Sequence, residues 1–200
     1  MSRTGSGHPF LASAIASEAE LDALYGHPVP AAVTKELGFI SQDYRRFIEQ
    51  SPFVLLATAG PEGLDCSPRG ELGGVVRVHD ERTLLLPDRR GNNRVDSLRN
   101  IVRDPRVGML FLVPGVGETL RLNGAASLST DAALCRSFAG PQGDKVPTCV
   151  IVVDVQAVYI QCPKALTRSQ LWDPAHFVER DRLPSVGQMI QAIAEGTVCP

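Results

Sequence analysis

The sequence has little of several features that would indicate a protein class at once. It contains one Trp and four His among 200 residues, and its net charge is −2 at pH 7 with His neutral. A charge so close to zero argues against non-specific binding to nucleic acid, which requires a basic face. No apolar run is as long as a membrane span, and residues 1–8 hold no signal-peptide core. We therefore expect neither a nucleic-acid partner nor a membrane partner.

The cysteines and histidines are few and scattered. No Cys-x-x-Cys pair occurs, and no histidine stands at metal-ligand spacing from a cysteine. This pattern predicts a reduced, cytoplasmic protein without a metal site. The cysteines are Cys66, Cys135, Cys149, Cys162 and Cys199, and the histidines are His8, His27, His79 and His176.

Familiar catalytic motifs are also missing. The sequence has no P-loop and no Gly-x-Ser-x-Gly motif. The run from Gly115 to Gly117 lacks the third glycine and the following helix of a dinucleotide fingerprint, so it indicates a hairpin turn. Ser67 precedes a proline and has no histidine near it in sequence. We predict no catalytic side chain.

The apolar pattern predicts a mainly β fold with peripheral helices (α+β). Tight turns join most of the strands, so neighbouring strands are expected to be antiparallel, and few helices intervene, which disfavours a doubly wound sheet. A closed or nearly closed antiparallel barrel fits better. Pro68 inside a strand predicts an edge position or a bulge. Six or more strands are expected, within residues 53–60, 64–71, 75–78, 83–86, 107–113, 119–128 and 148–160.

Helices are predicted before, within and after the strands. Ser17 and Glu20 resemble a capping box, and Gly26 ends that first helix. We expect an N-terminal extension at 1–33, a barrel domain at 34–174 and a C-terminal helical tail at 175–200. The strand at 148–160 is apolar on both faces near Val150–Val153, which predicts a homodimer. Further helices are expected at 34–50, 131–138, 164–172 and 186–194.

Residues 84–111 hold the most informative pattern. Arg89, Arg90 and Arg94 precede a short helix whose apolar stripe is Val95, Leu98, Ile101 and Val102. Asn92 or Asn93 is expected to cap that helix, and Pro105 to end it. Cations at the positive end of a helix are unfavourable unless an anion such as phosphate binds there. The alternative is a solvated basic loop.

Four segments carry a resemblance to a known family. They are SPRG at 67–70, PDRRGNNRVDSLRNIVRDPRVGMLFLVPG at 87–115, LRLNGAASL at 120–128 and CPKALTRSQLW at 162–172. Together they resemble the pyridoxamine phosphate oxidase-like flavin-binding family, and more narrowly its bacterial split-barrel branch, over about 36–174. The resemblance implies an antiparallel split β-barrel of the FMN-binding type and a homodimer with FMN in a groove between the subunits.

The resemblance also implies site residues. The phosphate and ribityl chain of FMN correspond to Arg89, Asn92, Asn93, Arg94 and Ser97. Arg69 lies where the second strand of the family approaches the flavin ring. A second cluster is expected to form a wall of the same groove, namely Lys164, Arg168, Ser169 and Trp172. Residues 180–196 do not resemble the arginine- and tryptophan-bearing end of the authentic oxidase, so oxidation of vitamin B6 phosphates is not implied.

Three functions follow as hypotheses. The first is an FMN-dependent oxidoreductase in which flavin N5 accepts hydride from a small-molecule substrate. The second is a non-catalytic protein that binds, stores or senses flavin. The third is a split barrel that binds haem or a deazaflavin instead. Trp172 either stacks on a ring or anchors the tail, and Cys66 is either reactive or a buried, inert thiol.

Overall fold

The computed structural model describes residues 13–140 and 146–197. The predictions about residues 1–8, His8 and Cys199 fall outside this range. The chain divides into two compact units, Met1–Glu36 and Leu37–Pro200. The predicted boundaries at 33/34 and 174/175 stay predictions.

The described part of the first unit contains two short helices, α1 (Glu18–Tyr25) and α2 (Pro30–Thr34). The Ser17 hydroxyl caps α1 by accepting from the Glu20 backbone N–H at 3.3 Å, and Gly26 ends the helix with φ 69°. The Glu20 carboxylate accepts from the Ala16 N–H at 2.8 Å. The first predicted helix and its Ser17 cap are therefore confirmed, but the capping box is not complete, because Glu20 accepts from Ala16 rather than from Ser17.

The predicted helix at 34–50 is wrong in its first half. In the second unit, α3 spans Gln42–Gln50 and begins after Ser41, whose hydroxyl accepts from the Tyr44 N–H. The segment before it is bonded to the sheet. Leu37 exchanges both backbone hydrogen bonds with Val158, at 3.0 and 2.8 Å, and the Ile40 N–H donates to the Glu81 carbonyl. These non-local bonds use groups that a longer helix would need.

Seven strands form one antiparallel sheet in the order β2-β1-β5-β6-β7-β4-β3. Pro68 lies in β2, which is an edge strand as predicted. The two edge strands are not paired with each other in the described residues, so the sheet is a split barrel. The strands are β1 (Phe53–Gly60), β2 (Gly63–Gly70), β3 (Arg77–Val78), β4 (Thr83–Pro87), β5 (Arg106–Leu112), β6 (Thr119–Ser129) and β7 (Val150–Gln161).

The sheet curves around one apolar core. Alternate residues of each strand point inward, and Leu56, Phe111 and Leu122 are fully buried. A bulge follows Asn123, where β6 changes register against β7. Gly124 sits at this bulge, and a side chain there would collide with the Asp154 carbonyl. The bend of β6 therefore requires glycine.

Four further helices lie around the sheet: α4 (Asp96–Arg103), α5 (Ala132–Arg136), α6 (Lys164–Ser169) and α7 (Val186–Ala194). Residues of α5 and its C-terminal flank form a second apolar cluster with the sheet, in which Cys135 and Phe138 lie against Leu85 and Val150. The homodimer was predicted because β7 is apolar on both faces and a second copy would have to bury one of them. At Val150 this reasoning is wrong, because the same chain buries that face. No helix in the described part of the chain is both long and apolar enough to cross a membrane.

Candidate functional site

A cleft of about 1210 Å³ opens between β2, the loop after β4, the start of α4 and the segment before β7. Six of the ten predicted site residues line it, namely Arg69, Arg89, Asn92, Asn93, Arg94 and Ser97. These six residues therefore share one concave surface. Its lining also includes groups that the pattern did not single out.

Strand β2 supplies one wall through Asp65, Ser67 and Arg69. Side chains alternate along a strand, so these three share a face while Cys66 and Pro68 point to the other. Ser67 is directly opposite Leu56 in β1, and Leu56 is fully buried. The three polar residues thus lie on the core-facing side of an edge strand, where α4 packs beside them.

A chain of hydroxyl groups joins this wall to α4. The Ser97 hydroxyl donates to the Asp65 carboxylate at 2.7 Å, and the Ser67 and Ser97 oxygens are 2.9 Å apart. Ser97 is only 3 % exposed, so its hydroxyl lies beneath the cleft surface. A separate bond, from Asn100 Nδ2 to Thr58 Oγ1 at 3.1 Å, fastens the next turn of α4 to β1.

Arg69 has one buried N–H group without a hydrogen-bond partner in the described residues. Its Nη1 donates to Asp88 Oδ1 at 3.0 Å, whereas its buried Nε has no hydrogen-bond partner in the described residues. Buried polar groups are nearly always satisfied in native proteins, so this N–H, which is buried in a residue that lines the cleft, suits a ligand that brings an acceptor. Burial raises the pKa of the neighbouring Cys149 thiol, and the Asp88 charge adds to the effect. Cys149 is therefore a thiol rather than a thiolate near neutral pH.

The other three arginines of the cleft differ in how far they are already bonded within the protein, and so in how readily they can bind a ligand. Arg89 donates to both oxygens of Glu71, at 2.8 to 3.0 Å, and to the Phe138 carbonyl at 2.9 Å. Arg94 pairs with Asp96 at 2.8 Å, but its side chain is 75 % exposed, so that pair contributes little to stability. Arg90 lines the cleft without a hydrogen bond or ion pair in the described part of the chain.

Carboxylates nearly balance these cations. Four arginines and four carboxylates line the described cleft, and three of the arginines are paired with Asp88, Glu71 and Asp96. The predicted basic turn is therefore largely compensated, and Asp96 supplies the acid in the first turn of α4 that the sequence reading overlooked. Arg90 is the cation that remains for an anionic ligand without the loss of an existing ion pair.

The predicted cap of α4 is wrong. Val95 precedes the helix in the left-handed conformation, φ 52° and ψ 32°, and no side chain caps the first turn. The side-chain Oδ1 of Asn92 instead accepts from the Arg94 N–H at 3.1 Å, and Asn93 is also left-handed. First-turn N–H groups without a side-chain cap at the mouth of a cleft suit an anion. Val102 is 75 % exposed, so the predicted apolar stripe is narrower and rests on Leu98 and Ile101.

The predicted second cluster lies elsewhere. Lys164, Arg168 and Ser169 belong to α6, which follows the far end of β7. Trp172 donates from Nε1 to the Val116 carbonyl at 2.9 Å, so it anchors this segment to the turn between β5 and β6. None of the four lines the cleft of its own chain. The length of β7, roughly 35 Å, separates the two regions along the chain.

Several lining residues were not predicted: Asp65, Ser67, Glu71, Asp88 and Cys149. Arg90 was part of the predicted anion site but was not among the residues that the resemblance assigned to FMN. The alternation of Asp65, Ser67 and Arg69 along a strand was a usable signal, because it places three polar groups on one face. No such signal distinguishes Arg90 from Arg89, since only their folded partners differ.

Comparison with known proteins gives a family and a fold. The model of the pyridoxamine 5'-phosphate oxidase family matches residues 40–162. No curated protein matches the sequence. A HupZ variant from Group A Streptococcus is similar in structure, with a TM-score of 0.51 and 19% identity over 61% of this chain and 99% of that one.

Two further solved structures are similar at lower scores. One is a candidate pyridoxamine 5'-phosphate oxidase of Lactobacillus delbrueckii, with a TM-score of 0.48 and 18% identity over 62% of this chain and 98% of that chain. The other is an FMN-binding protein of Syntrophomonas wolfei, with a TM-score of 0.44 and 9% identity over 58% and 82%.

Proposed function

Because the chain belongs to the pyridoxamine 5'-phosphate oxidase family, we propose that it is a flavoprotein that holds FMN in the cleft between β2 and α4. We propose further that it acts as an oxidoreductase on a small molecule. The observation that carries the proposal is a set of unmet donors around one cleft: the first turn of α4 and the exposed Arg90 guanidinium, together with the buried Nε of Arg69, another lining residue. Such donors suit a phosphate and the acceptor atoms of a flavin.

Different residues of the cleft would bind different parts of FMN. Arg90 and Arg94 would hold the phosphate, Arg94 after it leaves the weak, exposed pair with Asp96. Asn92 and Asn93 line the path from these arginines toward β2. Arg69 would meet an acceptor through Nε, while Asp88 fixes the orientation of its guanidinium. Arg89, with Glu71 and Phe138, would shape the wall behind them.

When bound, FMN would supply the reactivity by accepting hydride at N5, which agrees with a cleft in which no catalytic side chain was predicted. The protein's own part is to bind, orient and exclude water. The non-catalytic alternative uses the same site. A reduced nicotinamide consumed in the presence of FMN and candidate oxidants separates the two, since a storage or sensing protein would leave it unchanged.

The haem alternative is less favoured by the lining. No histidine or methionine lines the cleft in the described residues. Cys149 is the one lining residue of an axial-ligand type in that part of the chain, and its raised pKa disfavours the thiolate that iron needs. The absorbance spectrum of the purified protein distinguishes flavin, deazaflavin and haem.

The test of the proposed site uses flavin fluorescence titrations. We expect Arg90→Ala to weaken FMN binding by about 1.5–3 kcal/mol, because one charge-assisted phosphate contact is lost. Arg94→Ala should act in the same direction. Riboflavin has no phosphate, so its affinity should be almost unchanged in both variants.

Arg103→Ala is the matched control, because Arg103 is an exposed arginine in the last turn of the same helix and does not line the cleft. It should leave FMN affinity unchanged. A wild-type protein that is folded by circular dichroism and does not bind FMN would refute the proposed function. Equal weakening of FMN and riboflavin by Arg90→Ala would refute the phosphate assignment.

We also propose a homodimer in which the partner's α6 region completes the cleft, as the resemblance implies. The cluster of Lys164, Arg168, Ser169 and Trp172 is exposed or half-buried and lies away from the cleft of its own chain. A second copy is the simplest way to bring it there. A cytoplasmic location is proposed from Cys66, Cys135, Cys149 and Cys162, all of which are free thiols.

A further inference from the structure

Asp65, Ser97 and Ser67 are linked by two hydrogen bonds in a chain. Only one assignment of donors and acceptors is possible along it. A carboxylate only accepts hydrogen bonds, so the 2.7 Å contact uses the single hydroxyl hydrogen of Ser97. The 2.9 Å contact between the two serine oxygens must then use the hydrogen of Ser67. Ser67 is left with lone pairs alone, and it lines the cleft.

We propose that this chain fixes Ser67 as a hydrogen-bond acceptor, and that the cleft thereby selects ligands that present an O–H or N–H donor to β2. Ser67 is the contacting residue, and Ser97 and Asp65 are positioning residues that act through it. The inference rests on the proposed function, since it takes the ligand to be a flavin. The donor is then a hydroxyl of the ribityl chain or an N–H of the ring.

The arrangement is more than a fastening between α4 and the sheet. The bond from Asn100 to Thr58 already fastens this helix to β1, and neither residue lines the cleft. The serine chain instead ends at the cleft surface, on the same strand face as Arg69. β2 therefore offers an unmet donor at Arg69 Nε and an acceptor at Ser67, two residues apart.

The experiment is a double-mutant cycle on riboflavin binding, read by fluorescence. Riboflavin carries both candidate donors and no phosphate, so the charge of the cleft does not enter. Ser67→Ala should weaken binding about three- to tenfold, the range for one neutral hydrogen bond. Ser97→Ala should weaken it less, about two- to threefold, because Ser67 keeps its oxygen but loses its fixed orientation. The double variant should bind no more weakly than Ser67→Ala.

Two further variants keep the test decisive. Asp65→Asn is nearly isosteric and allows the hydrogens to run in either direction, so it should resemble Ser97→Ala even if that variant folds poorly. Asn100→Ala removes the other fastening and should lower thermal stability without changing riboflavin affinity. Lumiflavin, which lacks the ribityl chain, identifies the donor. If Ser67→Ala weakens the binding of lumiflavin, the donor is an N–H of the ring. If it weakens the binding of riboflavin alone, the donor is a hydroxyl of the ribityl chain.

The outcomes separate the two proposals. If the wild-type protein binds FMN and riboflavin but Ser67→Ala binds riboflavin equally well, this inference is wrong and the proposed function stands. If Ser67→Ala and Ser97→Ala add fully, Ser97 does not act through Ser67 and the inference is also wrong. If the wild-type protein binds no flavin, the proposed function and the inference both fail.

Discussion

Arg69 and Arg89 are both half-buried arginines in the same cleft, yet they have different capacities for a ligand. The guanidinium of Arg89 donates to Glu71 and to the Phe138 carbonyl, whereas Arg69 has a buried Nε without a partner in the described chain. A guanidinium has five N–H donors, so each bond that it makes within the protein leaves fewer of them for a phosphate. Roles in this cleft therefore follow from partners rather than from residue type.

Cys149 allows a residue-scale prediction. Its sulfur is buried beside Asp88, and both effects raise the pKa of its thiol. Since the thiolate is the reactive form, we expect brief treatment with iodoacetamide at pH 7 to alkylate Cys149 at least tenfold more slowly than in urea-unfolded protein. FMN should slow the reaction further because Cys149 lines the cleft. Peptide mapping by mass spectrometry measures both effects.

Labelling without FMN provides the control for ligand protection, and Cys135 provides the control for burial, because it is buried and does not line the cleft. FMN should leave the rate at Cys135 unchanged. Alkylation of native Cys149 as fast as in the unfolded protein would contradict the described burial. An equal effect of FMN on both cysteines would indicate general stabilisation rather than contact at the cleft.

Sequence reasoning located the cleft but not its pairings. Charge and helix position indicated an anion site at Arg89, Arg90 and Arg94, and the resemblance added Asn92 and Asn93; all five line the cleft. The partners of Arg89 come from distant parts of the chain: Glu71 follows β2, and Phe138 follows α5. Such contacts depend on the sheet order, which local patterns do not specify.

Among the elements, α4 joins the site to the barrel, and the residue that precedes it is unusual. Val95 is β-branched and adopts φ 52°, a conformation that costs an L-residue about 1–2 kcal/mol. Strained residues of this kind occur where the surrounding structure holds them, often at ligand clamps. The strain places the first turn of α4 at the cleft mouth.

Replacing Val95 by Asn should relieve this strain. Asn tolerates the left-handed conformation, so we expect Val95→Asn to raise the free energy of unfolding by about 1 kcal/mol in urea denaturation. Val102→Asn is the matched control, since Val102 is exposed in α4 and valine and asparagine have similar helix propensities. It should change stability by less than about 0.5 kcal/mol. Destabilisation by Val95→Asn would show that the valine side chain contributes more than its conformation costs.

The elements that local patterns specify were predicted well. The helix at 186–194 agrees with α7, because Ser185 and Gln188 form a complete capping box. The predicted strands agree with the sheet to within a few residues, and 148–160 is the longest of them, as β7. The helix at 34–50 failed where Leu37 pairs with Val158, a partner more than a hundred residues away. The cap of α4 failed because nothing in the sequence marks a valine for the left-handed conformation.

The whole molecule carries apolar surface that one chain leaves open. On the outer face of the sheet, Leu55 is paired with Leu110 and neither is fully buried. Helix α7 exposes Val186, Met189, Ile190 and Ile193, and none of its residues is buried. The covered face at Val150 does not support a dimer, but these surfaces do.

We predict a homodimer whose FMN affinity falls when it dissociates. Sedimentation velocity combined with FMN titration over a range of protein concentrations measures both quantities. Leu110→Glu, on the outer sheet face, should shift the protein toward monomer and weaken FMN binding, because a charge would be buried in the contact. The control is Leu72→Glu, since Leu72 is 99 % exposed in a loop and should change neither quantity. A monomer with undiminished FMN affinity would show that one chain builds the whole site.

The edges of the split sheet also bear on aggregation. An unpaired strand edge can recruit a strand from another molecule and start the growth of insoluble cross-β assemblies. Here β3 has only two residues, and β2 carries Pro68, which has no N–H to donate, together with inward charges at Asp65 and Arg69. The residues that shape the ligand cleft are therefore also those that protect this edge. Substitutions that make the cleft apolar would remove that protection along with the site.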